Sequence, residues 1–248
     1  MPDCTLFYAP VTVTPGDLFE ITGSEYNHLV KALRYADGDQ VDVADGQGNV
    51  IVSTIVSVEN GTATCQADQV VTSENEIPVY ITLGVGLVQN QRYEWMVEKT
   101  TELGVHKIQP LFTDRVVRSG YRHDRLEKKA IAAMKQSERS VLPLISKPCS
   151  VPDFMDNLDS DHNFYAIQDM QYPGWMNFSG LPNFSSIAIL IGPEGGWSDK
   201  ELSLFRDNDI QPVHLGNRRL RTETAAVTAL SQLTGLIETQ QTKREEFA

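Results

Sequence analysis

The hydrophobic pattern of this 248-residue chain changes once, at a polar segment that ends in proline, Thr72-Ser-Glu-Asn-Glu-Ile-Pro78. Before it lie short β-branched or alternating runs: Leu6–Tyr8, Leu18–Ile21, Gln40–Ala44, Val50–Val58 and Thr62–Val71. Pro15-Gly16, Asp37-Gly38, Asp45-Gly46 and Asn60-Gly61 separate them, which is the pattern of a small barrel or sandwich. One helix is expected among these strands, Glu25–Tyr35, with Ser24 as its cap and Leu29 and Leu33 on its inner face. Beyond Pro78 strands alternate with amphipathic helices. Strands are predicted at Val79–Gly86, Val105–Phe112, Asn163–Gln168, Ser186–Ile191 and Pro212–Leu215. The second-last of these is almost wholly apolar, as a central parallel strand requires. Helices are predicted over Tyr93–Leu103, from the Asp124 and Glu127 start signal with Leu126, Ala130, Met134 and Ser137 inward, after Ser198 through Asp207, and over Glu223–Glu238. The chain therefore reads as a β domain, residues 1–75, followed by an α/β domain, residues 76–248.

The first twenty residues, MPDCTLFYAPVTVTPGDLFE, lack a cationic start followed by an apolar run, and no eighteen apolar residues run together, so a cytoplasmic protein with no membrane partner is expected. Cys4, Cys65 and Cys149 form no C-x-x-C pair and the five histidines form no H-E-x-x-H, so no disulfide framework and no metal centre are expected. Net charge is −12, but it is unevenly spread: residues 1–78 carry Lys31 and Arg34 against twelve acids. Residues 114–147 hold nine bases against four acids. Such a stripe suits contacts to nucleic-acid phosphates; a solvated helix face laced with i,i+4 ion pairs has the same composition.

Two stretches carry chemistry. Ile189-Leu-Ile-Gly-Pro-Glu-Gly-Gly-Trp-Ser-Asp-Lys-Glu201 runs from an apolar strand through a glycine-rich turn into a helix capped by Ser198 and Glu201. Its glycines allow close approach of backbone to a ligand, and the helix start offers free N–H groups. It is neither G-x-G-x-x-G nor a P-loop, and a tight turn without a ligand fits the same residues. The second stretch, residues 215–230, places Arg218, Arg219 and Arg221 between a strand end and a helix that begins at Thr222 or Glu223. Clustered arginine serves anion handling or surface salt bridging, with Glu223 complementing the helix dipole.

Taken together, Asn27-His28 with Leu33-Arg34, Arg92-Tyr-Glu-Trp-Met-Val-Glu-Lys99 with Thr101-Glu-Leu-Gly104, Gln136-Ser137 with Arg139, IGPEGG at 191–196 and LGNRRLRTETA at 215–225 resemble the RsmE family of 16S ribosomal RNA (uracil-N3) methyltransferases, in the SPOUT superfamily. The resemblance spans nearly the whole chain. It implies a PUA-like β-barrel RNA-binding domain followed by a SPOUT α/β domain with a trefoil knot, working as a homodimer. It also implies S-adenosylmethionine as cofactor, and 16S rRNA or the assembled small ribosomal subunit as partner. Carried over by position, Ile191, Gly192, Gly195, Gly196, Leu215, Gly216, Leu220, Arg221, Thr224 and Ala225 are the expected cofactor-binding residues, with a third loop near Gln168 to Met170. Arg221 is expected to stabilise charge on the uracil and Glu223 to accept the N3 proton or only cap its helix. RNA contacts are expected at His28, Arg34, Arg92, Arg118, Arg122, Arg125 and Arg139. Trp95 and Trp197 are expected in the core. The row Ala226, Leu230, Leu233 and Ile237 is offered to a dimer partner or to the monomer core. The residue before Gln136, commonly glutamate in the family, is Lys135. A methyltransferase for another RNA position, or an RNA-binding factor without catalysis, are the alternative readings.

Overall fold

A computed structural model describes residues 5–72, 75–116, 121–178 and 185–245. The chain divides into two compact units: Met1–Glu76 with Ile131–Leu142, and Ile77–Ala130 with Pro143–Ala248.

The first unit contains β1 (Leu6–Tyr8), β2 (Leu18–Ile21), α1 (Gly23–Tyr26), β3 (Gln40–Ala44), β4 (Asn49–Glu59) and β5 (Thr62–Thr72). Its five-stranded sheet runs β1-β3-β4-β5-β2, antiparallel except for the β1–β3 pair. Residues of both edge strands, Phe7 on one side and Phe19 and Ile21 on the other, share one core with Val43, Ile51, Ile55 and Cys65. That shared core requires the sheet to curl. The expected helix at 25–35 differs: α1 is a single turn, continued by a π-helical turn Asn27–Ala32 in which Leu33 N–H bonds to His28 C=O. Its N-cap is Thr22 rather than Ser24. With i→i+5 bonding, residues four apart no longer share a face, so Leu29 is buried while Leu33 is 42% exposed.

Residues 131–142 belong to this unit through specific contacts. Met134 is buried with Leu6 and Ala44. Lys135 Nζ sits 2.6 Å from Glu25 Oε1, whose other oxygen accepts from Tyr8 N–H. Arg139 is 3% exposed and donates through Nε and Nη2 to Glu76 Oε2, while Glu76 Oε1 accepts from the backbone of Ser140 and Val141. The RNA contact expected at Arg139 meets a buried side chain that donates through two nitrogens to one Glu76 oxygen and so fastens the chain to itself.

The second unit contains β6 (Tyr80–Gly86), α2 (Asn90–Glu102), β7 (Lys107–Phe112), most of α3 (His123–Gln136), β8 (Leu144–Ile145), β9 (Cys149–Ser150), α4 (Val151–Asp156), β10 (His162–Ala166), β11 (Ser186–Ile191), α5 (Asp199–Asp207), β12 (Gln211–Val213) and α6 (Thr222–Glu245). Every strand pairing is parallel, in the order β12-β10-β11-β6-β7-β8, with β9 also on β7. Strand β11 lies between β10 and β6 and is buried from Ile187 to Ile191, as its apolar run predicts.

One side-chain expectation changes here and one open alternative is decided. Trp95, on α2, is 43% exposed, whereas Trp197 is 6% exposed and packs edge-on to Phe205. Ala226, Leu230, Leu233 and Ile237 are all buried within a single chain, so this row is already covered without a partner. Among the described residues no helix is long and apolar enough to cross a membrane, and no group of histidine, cysteine or acidic side chains could hold a metal ion.

Candidate active site

Because all strands of the second unit are parallel, their carboxyl ends lie on one side, where open α/β sheets place ligand crevices. A cavity of about 330 Å³ opens there. Two strand ends and three loops line it: Ala166 ending β10 with Ile167 and Gln168 after it, Ile191 ending β11 with residues 192–197 after it, and Leu215, Gly216 and 218–220 after β12. Leu202 of α5 and Thr222 and Ala225 of α6 complete it.

Local chemistry shapes each wall. After β11 the chain turns through a Gly196 N–H to Pro193 C=O bond, with Gly196 at φ +70. It then enters α5 through the capping box read from the sequence, Ser198 Oγ accepting from Glu201 N–H and Glu201 Oε2 from Ser198 N–H. Asp114, after β7, ties into the box: Ser198 Oγ donates to its carboxylate and its N–H donates to Glu201 Oε1. Trp197 donates Nε1–H to Ala166 C=O, joining the β10 and β11 loops. A Cβ on Gly192 would lie 3.2 Å from the Trp197 ring, and one on Gly86, at the end of β6, 2.8 Å from Pro193 N. Both glycines are therefore there for close packing. Gly216 has φ +118 and, among the described residues beyond its chain neighbours, no atom within 4 Å of where a Cβ would stand, so its conformation favours glycine. Its N–H donates to His214 Nδ1. Thr222 Oγ1 donates to Gly192 C=O, pinning the start of α6 to the β11 loop.

Arginines from three elements hold Glu194 and Gly195. Arg92 of α2 donates through Nη1 to Glu194 Oε1, Arg115 through Nη1 to Gly195 C=O, and Arg219 through Nη2 to Glu194 C=O. A Cβ on Gly195 would press on Arg115 Cβ at 3.1 Å.

Of the ten expected cofactor residues, eight line the cavity: Ile191, Gly192, Gly195, Gly196, Leu215, Gly216, Leu220 and Ala225. Arg221, which is exposed, and Thr224, half-buried, are not among its lining residues. Of the third loop, Gln168 reaches the cavity, whereas Met170 does not and is 56% exposed. Glu223 is buried and outside the lining; Oε1 is 3.7 Å from Arg92 Nε and Oε2 is enclosed with no hydrogen-bond partner among the described residues. Of its two expected roles, proton acceptor or helix-start charge, burial away from the lining fits the second better.

The expected RNA contacts fall on both units. His28 is exposed on the first unit, its ring 5.7 Å from Phe7, and Arg34 is exposed at φ +64. Arg92 is engaged with Glu194 and Glu223, and Arg125 Nε lies 3.3 Å from Glu94. Arg122 is exposed, and Arg118 lies outside the described residues. Sequence reasoning passed over Glu194, Pro193, Trp197 and Thr222 as wall residues, although all lie inside or beside the two quoted stretches.

Comparison with known proteins bears on both units. An RNA methyltransferase domain model matches residues 75–234, and an RNA methyltransferase PUA domain model matches residues 21–68. The chain is 32% identical over 239 residues to ribosomal RNA small subunit methyltransferase E of Synechocystis sp., covering 92% of this chain and 78% of that protein. It is 30% identical over 227 residues to the Bacillus subtilis protein of the same name, covering 87% and 89%. Among solved structures, ribosomal RNA small subunit methyltransferase E of Neisseria gonorrhoeae bound to S-adenosyl methionine aligns with TM-score 0.84, 27% identity and coverage of 94% and 97%. A Legionella pneumophila methyltransferase in complex with the cofactor SAM aligns with TM-score 0.82, 28% identity and coverage of 93% and 97%.

Proposed function

Since the chain belongs to the ribosomal RNA small subunit methyltransferase E family, we propose that it methylates N3 of a uridine in 16S ribosomal RNA, with S-adenosylmethionine as methyl donor. The observation that carries this reading is the cavity at the three strand ends, together with the glycine positions that shape its walls. Its volume, about 330 Å³, falls in the range of small-molecule sites. Ile167, Ile191, Leu215, Leu220 and Ala225 offer apolar surface suited to adenine, and the loops at 191–196 and 215–220 offer backbone donors and acceptors for the polar ends of the cofactor. Bound there, the cofactor supplies an electrophilic methyl group.

The chain's own residues have the remaining work. Arg221 stands between Leu220 and Thr222, both on the cavity wall, and stabilises negative charge developing at the uracil oxygens. Because N3 is engaged in a paired uridine, the target base is unpaired or flipped out. The first unit contributes RNA contacts through the exposed His28 and Arg34, and the second through Arg122 and the arginines at 218–221. The segment from β12 into α6 is threaded as a trefoil knot; the Thr222 bond to Gly192 and the placement of β12 beyond β10 support that reading. The protein is a cytoplasmic homodimer by its resemblance to the family, formed through a surface other than the buried row on α6.

Titration calorimetry with S-adenosylmethionine and nucleoside analysis of 16S rRNA, naked or in small subunits from a strain lacking the gene, test the reading. Cofactor binding and appearance of N3-methyluridine are expected; methylation elsewhere, or none, overturns it. Light scattering is expected to report about twice 27.6 kDa, and a monomer that methylates would refute the dimer.

A further inference from the structure

Removal of the N3 proton needs an acceptor, and the described cavity wall offers a single carboxylate, Glu194. Its side chain is 40% exposed, whereas that of Glu223 is 9% exposed with Oε2 enclosed. Both carboxylates meet the same guanidinium: Arg92 donates to Glu194 Oε1 and lies 3.7 Å from Glu223 Oε1. The Glu194 backbone is fixed as well, by Arg219 on its carbonyl and Arg115 on the next one. Glu194 Oε1 is thus committed to Arg92, and the residue lines the cavity with its side chain 40% exposed.

We infer that Glu194 is the catalytic proton acceptor and that Arg92 is its positioning residue, anchored from behind by the buried Glu223. This rests on the proposed methyl transfer to uridine N3. The N3–H bond breaks as N3 bonds to the methyl carbon, the carbon–sulfur pair leaves with sulfur, and the proton passes to Glu194 Oε2 and then to solvent. One sulfonium charge and one carboxylate charge are consumed together, so charge balances. The N3 proton becomes steeply more acidic as the N–C bond forms, which lets a carboxylate take it. The charged groups around Glu194 are Arg92 from α2, Arg219 from the loop after β12 and Arg115 from the loop after β7, with Arg218 also on the wall and Glu223 on the same Arg92 guanidinium. Arg92, Arg115 and Arg219 donate to Glu194 or to the residue after it, which fixes where the glutamate stands.

The test compares Glu194→Gln, Glu223→Gln, Arg92→Met and Arg92→Lys by single-turnover methylation across pH, beside calorimetric binding of S-adenosylmethionine and RNA. Glu194→Gln keeps an acceptor for Arg92 and is expected to slow transfer about 100-fold at neutral pH, within the range of lost acid–base catalysis, with both ligands still bound. The loss should shrink as pH rises and uridine N3 ionises by itself. Arg92→Met is expected to lower kcat with little change in KM, and Arg92→Lys to restore part of it. Transfer by Glu194→Gln at the normal rate with a normal pH profile overturns the inference, as does a loss confined to Glu223→Gln. A parent protein that binds no S-adenosylmethionine or leaves uridine unmodified defeats the functional reading instead.

Discussion

Arginine has two fates in this chain that composition cannot separate. Arg139 and Arg122 both fall in the basic stripe, yet Arg139 is 3% exposed on Glu76 while Arg122 faces solvent. The difference arises from a carboxylate 63 residues away, beyond any local pattern. Cutting a buried pair on one side leaves a charge uncompensated, so Arg139→Ala is expected to destabilise the protein by about 3 kcal/mol, read from denaturant midpoints. The slope of RNA affinity against salt should stay unchanged, because no phosphate contact is lost. A stable variant with a flattened slope would return Arg139 to the RNA surface. Glu223 follows the same logic: a carboxylate at a helix start is legible in the sequence, but its enclosure beside Arg92 depends on α2 and α6 coming together. Local signals are legible in the sequence, as with Ser198 and Glu201, whose capping box closes within four residues.

At the scale of elements, periodicity located the longer strands and helices and failed where the backbone departed from its assumed repeat. Leu33 was placed inward by an α-helical spacing that the π-helical turn abolishes. The two-residue strands β8 and β9 are too short to carry any period. Helix α3 shows what became of the basic stripe. Arg125 pairs with Glu94, Lys129 with Glu98 and Lys135 with Glu25, while Arg122 and Lys128 are exposed with no ion pair among the described residues. Bases already paired release fewer counterions on binding RNA than bases held in water. The double variant Arg122→Ala with Lys128→Ala is therefore expected to flatten the logarithmic salt slope by about 1.5, against a smaller change for Arg125→Ala with Lys129→Ala. Equal effects from the two pairs would show that the ion pairs open on binding, and no effect from either would remove α3 from the RNA surface.

The whole molecule is less separable than its sequence suggests. A polar segment ending at Pro78 marks the change of pattern, yet residues 131–142 return to the first unit after the second has begun. Nothing local announces that return, because Met134 continues the amphipathic period of α3 while its buried partners are Leu6 and Ala44. The strand order β12-β10-β11-β6-β7-β8 is hidden for the same reason: order is set by tertiary pairing and not by the hydrophobicity of each strand. A fragment of residues 1–75 would lack Glu76, Met134 and Arg139, and with them the backbone bonds from Leu142 to Gly46 and from Gly48 to Ser140. Losing one well-packed core side chain costs about 2–5 kcal/mol, and a domain this small shifts its melting midpoint by several degrees per kcal/mol. Fragment 1–75 is therefore expected to melt about 10 °C below a chain joining residues 1–76 to 131–142 through a glycine–serine linker, followed by circular dichroism. Joining the segments should restore cooperativity as well as the midpoint, because Met134 fills the core at one end while Arg139 closes on Glu76 at the other. Coincident melting curves for the two chains would show that residues 1–75 fold on their own and that 131–142 only rests against them.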